Sequence, residues 1–130
     1  MQTNATRSLI EELLEAYNAP DLDRAAFLYA EDCEYVNHAL GIRIEGRGAQ
    51  RTNMQAILDI FPDRKLGLRR IIADEGSAAV EAQFVATSPG GPGMPPAGEP
   101  YTSEMCCMFE VRGGLVAREH DYIDRSTSAA

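Results

Sequence analysis

At 130 residues, with 45% hydrophobic and 25% charged residues, the chain has the size and composition of one soluble globular domain that can bury a core. Its net charge of -8, with 12 basic residues scattered along it, argues against nucleic acid or an anionic membrane as partner, since both need clustered Lys and Arg. No apolar run approaches the roughly 20 residues of a membrane span, and three cysteines, two of them adjacent, do not make a disulfide framework.

The start, Met1 to Arg7, lacks a basic segment followed by an apolar one, so no signal peptide is expected and a reduced cytoplasmic setting fits. A first helix is predicted over Thr6 to Asn18. Leu9, Ile10, Leu13, Leu14 and Tyr17 form its apolar stripe, Thr6 is the N-cap, and Glu11, Glu12 and Glu15 form a solvated side. Pro20 ends it. A short second helix, capped by Asp21, runs from Leu22 to Tyr29. Its apolar residues, Phe27 among them, leave little polar face, which predicts deep burial.

Cys33 to His38 reads as a strand, with Cys33, Tyr35 and Asn37 on one face and Glu34, Val36 and His38 on the other. A connection from Gly41 to Gly46 leads to a third helix, Gly48 to Ile60, with Met54, Ile57, Leu58 and Phe61 at helical spacing. Strands are predicted at Lys65–Ala73, Ala78–Thr87, Tyr101–Arg112 and Leu115–Asp124. Asp74-Glu75-Gly76 and Gly113-Gly114 are hairpin turns. The Pro- and Gly-rich segment from Ser88 to Pro100 forms a rim or lid over one end of the sheet, or simply a long hairpin connection. Ser126 to Ala130 is a frayed tail. Residues 1–130 thus make a single α+β domain: three N-terminal helices on a strongly curved, mainly antiparallel sheet.

The last strand breaks its own pattern. Period 2 puts Leu115, Ala117, Glu119, Asp121 and Ile123 on one face, which begins and ends apolar but carries two carboxylates. A buried carboxylate is costly unless it is paired, hydrated or protonated. Phe27, Phe84, Met105, Cys107 and Ile123 would wall Asp121 with apolar surface. Glu119 beside it would further disfavour ionisation of the pair. Asp121 is therefore a candidate general acid/base for chemistry next to a carbonyl; the plain alternative is an ion pair or a loop cap.

Tyr35 and Asn37 could orient a carbonyl or a water, or could be a core tyrosine and a turn-forming asparagine. His38 and His120 fall on the opposite faces and are read as surface or dimer-interface residues. Two histidines without a spaced cluster supply no metal site. Cys106 and Cys107 point to opposite faces, and Cys107 is read as a small core residue.

Several segments in order resemble the nuclear transport factor 2-like superfamily, and within it the SnoaL-like polyketide cyclase group, from about Leu9 to Arg125. They are Ala16-Tyr17-Asn18-Ala19, Asp21-Leu22-Asp23, Tyr29-Ala30-Glu31-Asp32, Gly46-Arg47-Gly48 and Phe61-Pro62-Asp63. Gly93-Met94-Pro95-Pro96-Ala97-Gly98 follows, and last comes Phe109 to Val116 with Glu119-His120-Asp121. The resemblance implies a cone-shaped barrel with an internal apolar pocket, no cofactor, a small apolar substrate, and often a homodimer.

It also implies that Asp121 is the acid/base of an aldol-type ring closure. The chain is similar as well to limonene-1,2-epoxide hydrolase-like proteins, which activate water with the same aspartate. Tyr35-Val36-Asn37 matches their Tyr-x-Asn, but Glu81-Ala82-Gln83 stands where their Arg-x-Asp pair is required. Ketosteroid isomerase-like enzymes place a base and a tyrosine where Asn37 and Leu14 stand here, and an amide is no base. The expected site is therefore Asp121, Tyr35 and Asn37 as catalytic groups. Tyr17, Phe27, Met54, Leu58, Phe84, Met105, Cys107, Glu119 and Ile123 would hold the substrate, with no metal. A non-catalytic binding or dimerisation domain is the competing expectation.

Overall fold

The computed structural model describes residues 2–124, so the tail expected at Ser126 to Ala130 lies outside the described residues. In chain order the elements are α1 (Gln2–Asn18), α2 (Leu22–Phe27), β1 (Tyr29–Asn37), β2 (Ile42–Glu45), α3 (Arg47–Ile60), β3 (Lys65–Asp74), β4 (Ser77–Thr87), β5 (Pro100–Arg112) and β6 (Leu115–Asp124). The six strands form one curved sheet in the order β2-β1-β6-β5-β4-β3. The sheet is open: β2 and β3 are its edges, and no pairing joins them into a barrel. Every neighbouring pair is antiparallel except β1 with β6, which run parallel.

α1 begins earlier than its apolar stripe suggested. Thr6 is not a cap but an interior residue, buried, whose Oγ1 accepts from the Gly76 N–H at 3.2 Å. Leu9, Ile10, Leu13 and Leu14 are buried as the 3.6-residue period requires. Each such side chain contributes about 1.5–3 kcal/mol by leaving water. In α2 the Asp21 side chain accepts from the Arg24 N–H, as an N-cap should. The expected deep burial of α2 holds for Leu22, Ala25 and Ala26 but not for Phe27, which is 67% exposed with the Arg47 guanidinium 5.3 Å from its ring centroid.

α3 follows two strands, so the helices are not all N-terminal. β2 was not legible, because a four-residue edge strand reading Ile42-Arg43-Ile44-Glu45 has little to bury. At the head of α3, Gly46 sits at φ 99°, a backbone state that favours glycine. Its N–H bonds Cys33 O at 2.8 Å, which ties the start of α3 to β1. Gly113 and Gly114 likewise take positive φ in the two-residue β5–β6 turn. Among the described residues no helix is long and apolar enough to cross a membrane.

One sheet face turns toward the helices. Val80 and Ala82 of β4, Met105, Cys107 and Phe109 of β5, and Cys33 of β1 are buried there with Leu13, Leu14 and Met54. The core does not close completely, and the space it leaves is the candidate site.

Candidate active site

A chamber of about 320 Å³ lies between the helices and the sheet, near the lower end for small-molecule sites. Leu13, Leu14, Ile57, Phe61, Phe84 and Met105 supply apolar wall. Its polar groups converge from β1, β6, α1 and α3: Tyr35 and Asn37, Glu119 and Asp121, Tyr17 and Gln50. No Lys, Arg or His is among the lining residues.

The β1–β6 register assembles this end. Tyr35 stands opposite Glu119, and Asn37 opposite Asp121. Odd-numbered residues of both strands therefore face inward together. Asp121 is 5% exposed, and its Oδ2 accepts from the Tyr35 hydroxyl at 2.7 Å. Its Oδ1 is buried and has no hydrogen-bond partner among the described residues. Such an orphaned oxygen is unusual and marks a place where a ligand can satisfy it.

Glu119 is buried beside it. The Tyr29 hydroxyl donates to Glu119 Oε1 and accepts from Gln50 Nε2 at 3.3 Å. Asn53 Nδ2 donates in turn to Gln50 Oε1 at 3.3 Å. Burial first, and then the neighbouring Asp121, push the Glu119 carboxyl well above the usual carboxylate range. The Glu119 carboxyl therefore holds its proton more tightly than it would in water. Burial foremost, with the nearby carboxylates, also keeps Tyr29 and Tyr35 phenolic and the Cys107 thiol protonated.

Cys107 Sγ and one oxygen each of Glu119 and Asp121 lie within 4.8 Å of one another. As a ligand set this trio fits a cation poorly. Two of its three members would have to surrender protons that burial holds in place.

Of the residues expected at the site, Tyr17, Tyr35, Asn37, Met54, Phe84, Met105, Cys107, Glu119, Asp121 and Ile123 line the chamber. Phe27 does not, because it points out of α2 toward solvent. Leu58 does not either: it packs on the core, while Ile57 and Ile60 of the same helix reach the chamber. Asn37 lines the chamber and also shapes a turn, its Oδ1 accepting from the N–H groups of Ala39 at 3.0 Å and Leu40 at 3.1 Å.

His38 and His120 lie on the far side of the sheet, but only His38 is a surface residue, as both were expected to be. His120 is buried there between His38 (2.8 Å) and Glu34 (2.7 Å), and its bond lowers the Glu34 pKa. Sequence reasoning missed Tyr29, Gln50 and Asn53. Tyr29 shares the odd-numbered face of Cys33, Tyr35 and Asn37, a signal obscured because it seemed to end α2.

Met94 from the 88–99 loop and Tyr101 also line the chamber, so that loop borders it. Ser88 pins that loop: its hydroxyl donates to Pro95 O at 2.7 Å and accepts from the Gly90 N–H at 3.0 Å.

Residues 10–119 match the SnoaL-like domain family. The chain belongs to that family. Solved structures resemble this SnoaL-like domain closely in shape. A candidate polyketide cyclase from Xanthomonas campestris pv. campestris is 23% identical, with 100% of each chain covered and a TM-score of 0.84. A candidate ketosteroid isomerase from Kribbella flavida is 28% identical, over 94% of this chain and 79% of that one, at a TM-score of 0.76. An LEH-like epoxide hydrolase from M. tuberculosis is 21% identical, over 98% and 89%, at 0.79. A comparison with curated protein sequences finds no match.

Proposed function

We propose that this SnoaL-like protein is a cofactor-independent enzyme that closes a ring in an apolar, carbonyl-bearing small molecule by aldol-type acid–base chemistry. The observation that carries this reading is the buried, unpartnered Asp121 Oδ1 facing an apolar chamber beside a carboxylic acid that keeps its proton. Two close carboxyl groups do not both ionise readily, so the pair offers one base and one acid at the same pH.

Asp121 Oδ1 takes a proton from a carbon next to a carbonyl. The electron pair of that C–H bond moves into the C–C–O unit and gives an enolate. Its oxygen receives hydrogen bonds from the Tyr17 phenol and the Glu119 acid. The enolate carbon then attacks a second carbonyl of the same molecule. A C–C bond forms, and the new alkoxide takes up the proton from Asp121. No atom is gained or lost, so the reaction is an isomerisation. Tyr35 keeps Asp121 in place through Oδ2 and leaves Oδ1 for the substrate. The chamber, which has two carboxyl groups and no basic side chain, disfavours an anionic substrate.

The test is turnover of a panel of apolar diketones by the wild type and Asp121→Asn. Mass-neutral ring closure by the former alone supports the reading, and equal rates would remove it. A pH–rate profile separates an enzyme from a binding module, which has no turnover to titrate.

Water activation, as in an epoxide hydrolase, is the second reading, favoured by Tyr35 and Asn37 together at one end of the chamber. It is weaker, because the Tyr35 hydroxyl and Asn37 Oδ1 are already engaged. Incorporation of heavy oxygen from labelled water into product would favour it. The protein is further proposed to pair with a second copy through the outer sheet face. There Ile72, Met108 and Tyr122 are exposed, and Ile72, Ala79 and Met108 lie in one cross-strand row.

A further inference from the structure

Arg64 is 2% exposed, yet among the described residues no carboxylate pairs with it. Its neighbour Asp63 is committed elsewhere, accepting from the Thr87 N–H at 3.0 Å and hydroxyl at 2.6 Å. A buried guanidinium without an anion is costly, so something else must hold it. Two contacts do, and both belong to Tyr17. Nη1 donates to the Tyr17 carbonyl oxygen at 2.7 Å, and the guanidinium carbon lies 3.6 Å from the centroid of the Tyr17 ring. Among the described residues Nε and Nη2 have no hydrogen-bond partner.

The carbonyl contact alone has a structural explanation. The last carbonyls of α1 lack partners within the helix, and a cation suits that end of its dipole. Neighbouring bonds do the same job without Arg64: Lys65 Nζ reaches Asn18 O at 2.6 Å, and the Asn18 side chain pairs with the Leu66 backbone at 2.8 and 2.9 Å. The stacking is a separate feature. Arg64 does not line the chamber, but Tyr17 does, and no described residue bonds the Tyr17 hydroxyl. That hydroxyl is near enough to Asp121 and Glu119 for their charges to raise its pKa, burial being the larger cause, while Arg64 pulls the other way.

The geometry points to Arg64 as a positioning residue: stacked outside the chamber on the Tyr17 ring, it fixes that phenol in place and strengthens it as a hydrogen-bond donor to the reacting oxygen. This rests on the acid–base reading above, in which Tyr17 touches the enolate oxygen. A cation over the ring withdraws electron density from the phenol and favours negative charge developing near its hydroxyl. Arg suits the role better than Lys, because its flat guanidinium stacks while still donating sideways to the carbonyl.

The test uses the full chain and 2-naphthol, an apolar phenol whose oxygen stands in for the enolate oxygen. Fluorescence titration of the wild type, Arg64→Lys, Tyr17→Phe and the double variant makes a cycle. Arg64→Lys is expected to weaken binding by about tenfold in the wild-type background and by less than twofold with Tyr17→Phe. Unchanged affinity in Arg64→Lys, an equal loss in both backgrounds, or no binding to the wild type would overturn the proposal.

A second measurement needs no Arg64 variant. The nitrogen NMR signal of the Arg64 side chain should move when 2-naphthol binds the wild type and stay still in Tyr17→Phe; a still signal in the wild type also overturns it. Turnover is not the readout, so an inert chamber and an idle Arg64 give different results. Asp121→Asn reports on the first and the naphthol cycle on the second.

Discussion

The Tyr35 hydroxyl donates to Asp121 Oδ2 at 2.7 Å, across 86 positions of sequence, while Oδ1 of the same carboxylate has no hydrogen-bond partner among the described residues. One oxygen is anchored and the other is presented. Tyr35→Phe should remove the anchor without changing the shape of the chamber. It leaves a buried acceptor unsatisfied, which costs about 1–3 kcal/mol. Turnover is expected to fall about 10–100-fold as the base loses its orientation. Urea unfolding and steady-state kinetics check the two effects, and a variant as active and as stable as the wild type would show that the bond is incidental.

Glu119 makes the protein less stable as pH rises. Its folded pKa is raised by burial and by Asp121, so its contribution is fully present below the ordinary value of 4.5 and is lost as pH rises toward the folded value. Each pH unit between the two values costs about 1.4 kcal/mol. Glu119→Gln copies the neutral acid and keeps an acceptor for Tyr29. It should match the wild type near pH 4 and be more stable at pH 8, read as a melting temperature that falls less with rising pH. Glu34 and Asp63 have lowered values, the first chiefly through His120 and the second through Thr87, and act in the opposite direction, losing stability as pH falls. They are common to both proteins, so the difference between the two curves isolates Glu119.

Three aromatic rings meet in the chamber wall. Phe61 stacks on Tyr101 at 5.2 Å, and Phe84 meets both edge-on, at 5.3 and 6.0 Å. Phe84→Ala should cost about 2–4 kcal/mol of stability, because the hole merges with space already present rather than collapsing. It should also shift binding toward larger apolar ligands, measured as a change in affinity order across naphthalene, anthracene and pyrene alcohols. An unchanged order would mean that this wall does not bound the ligand.

The proposed pairing of two copies predicts that Met108→Glu, a charge on the exposed outer face, shifts sedimentation equilibrium from dimer to monomer. Because Met108 is 45% exposed on the single chain, the monomer itself should lose less than about 0.5 kcal/mol. A wild type that sediments as a monomer at micromolar concentration would rule the pairing out.

Much of this architecture is legible in the sequence because long stretches of the strands alternate, although register shifts interrupt the β1–β6, β3–β4 and β5–β6 pairings. Glu119 and Asp121 turn inward as their period predicts, and β6 has the limits expected, but a register shift near its start buries Val116 where the period expected Leu115. Phe27 shows where pattern fails. A six-residue helix is too short for a moment to choose between faces, and hydrophobicity alone cannot tell a wall residue from one covered by an arginine. Tyr29 was obscured because only Leu28 separates the end of α2 from the start of β1, which leaves no turn to mark it. Leu58 and Ile57 were separable only by the exact roll of α3, which depends on the Gly46 turn and its bond to β1. Nothing local announces Arg64, since its partner is a ring 47 positions away.

The one parallel pairing carries a further consequence. β1 is made before β6, with β2, α3, β3, β4 and β5 between them, yet the proposed base and its anchor sit one on each. A nascent or truncated chain that stops short of β6 has helices and a partial sheet but no Asp121, and nothing for Tyr35 to hold. Contacts this distant are slow to form, so the proposed site is assembled only after β6 has been made and has found β1.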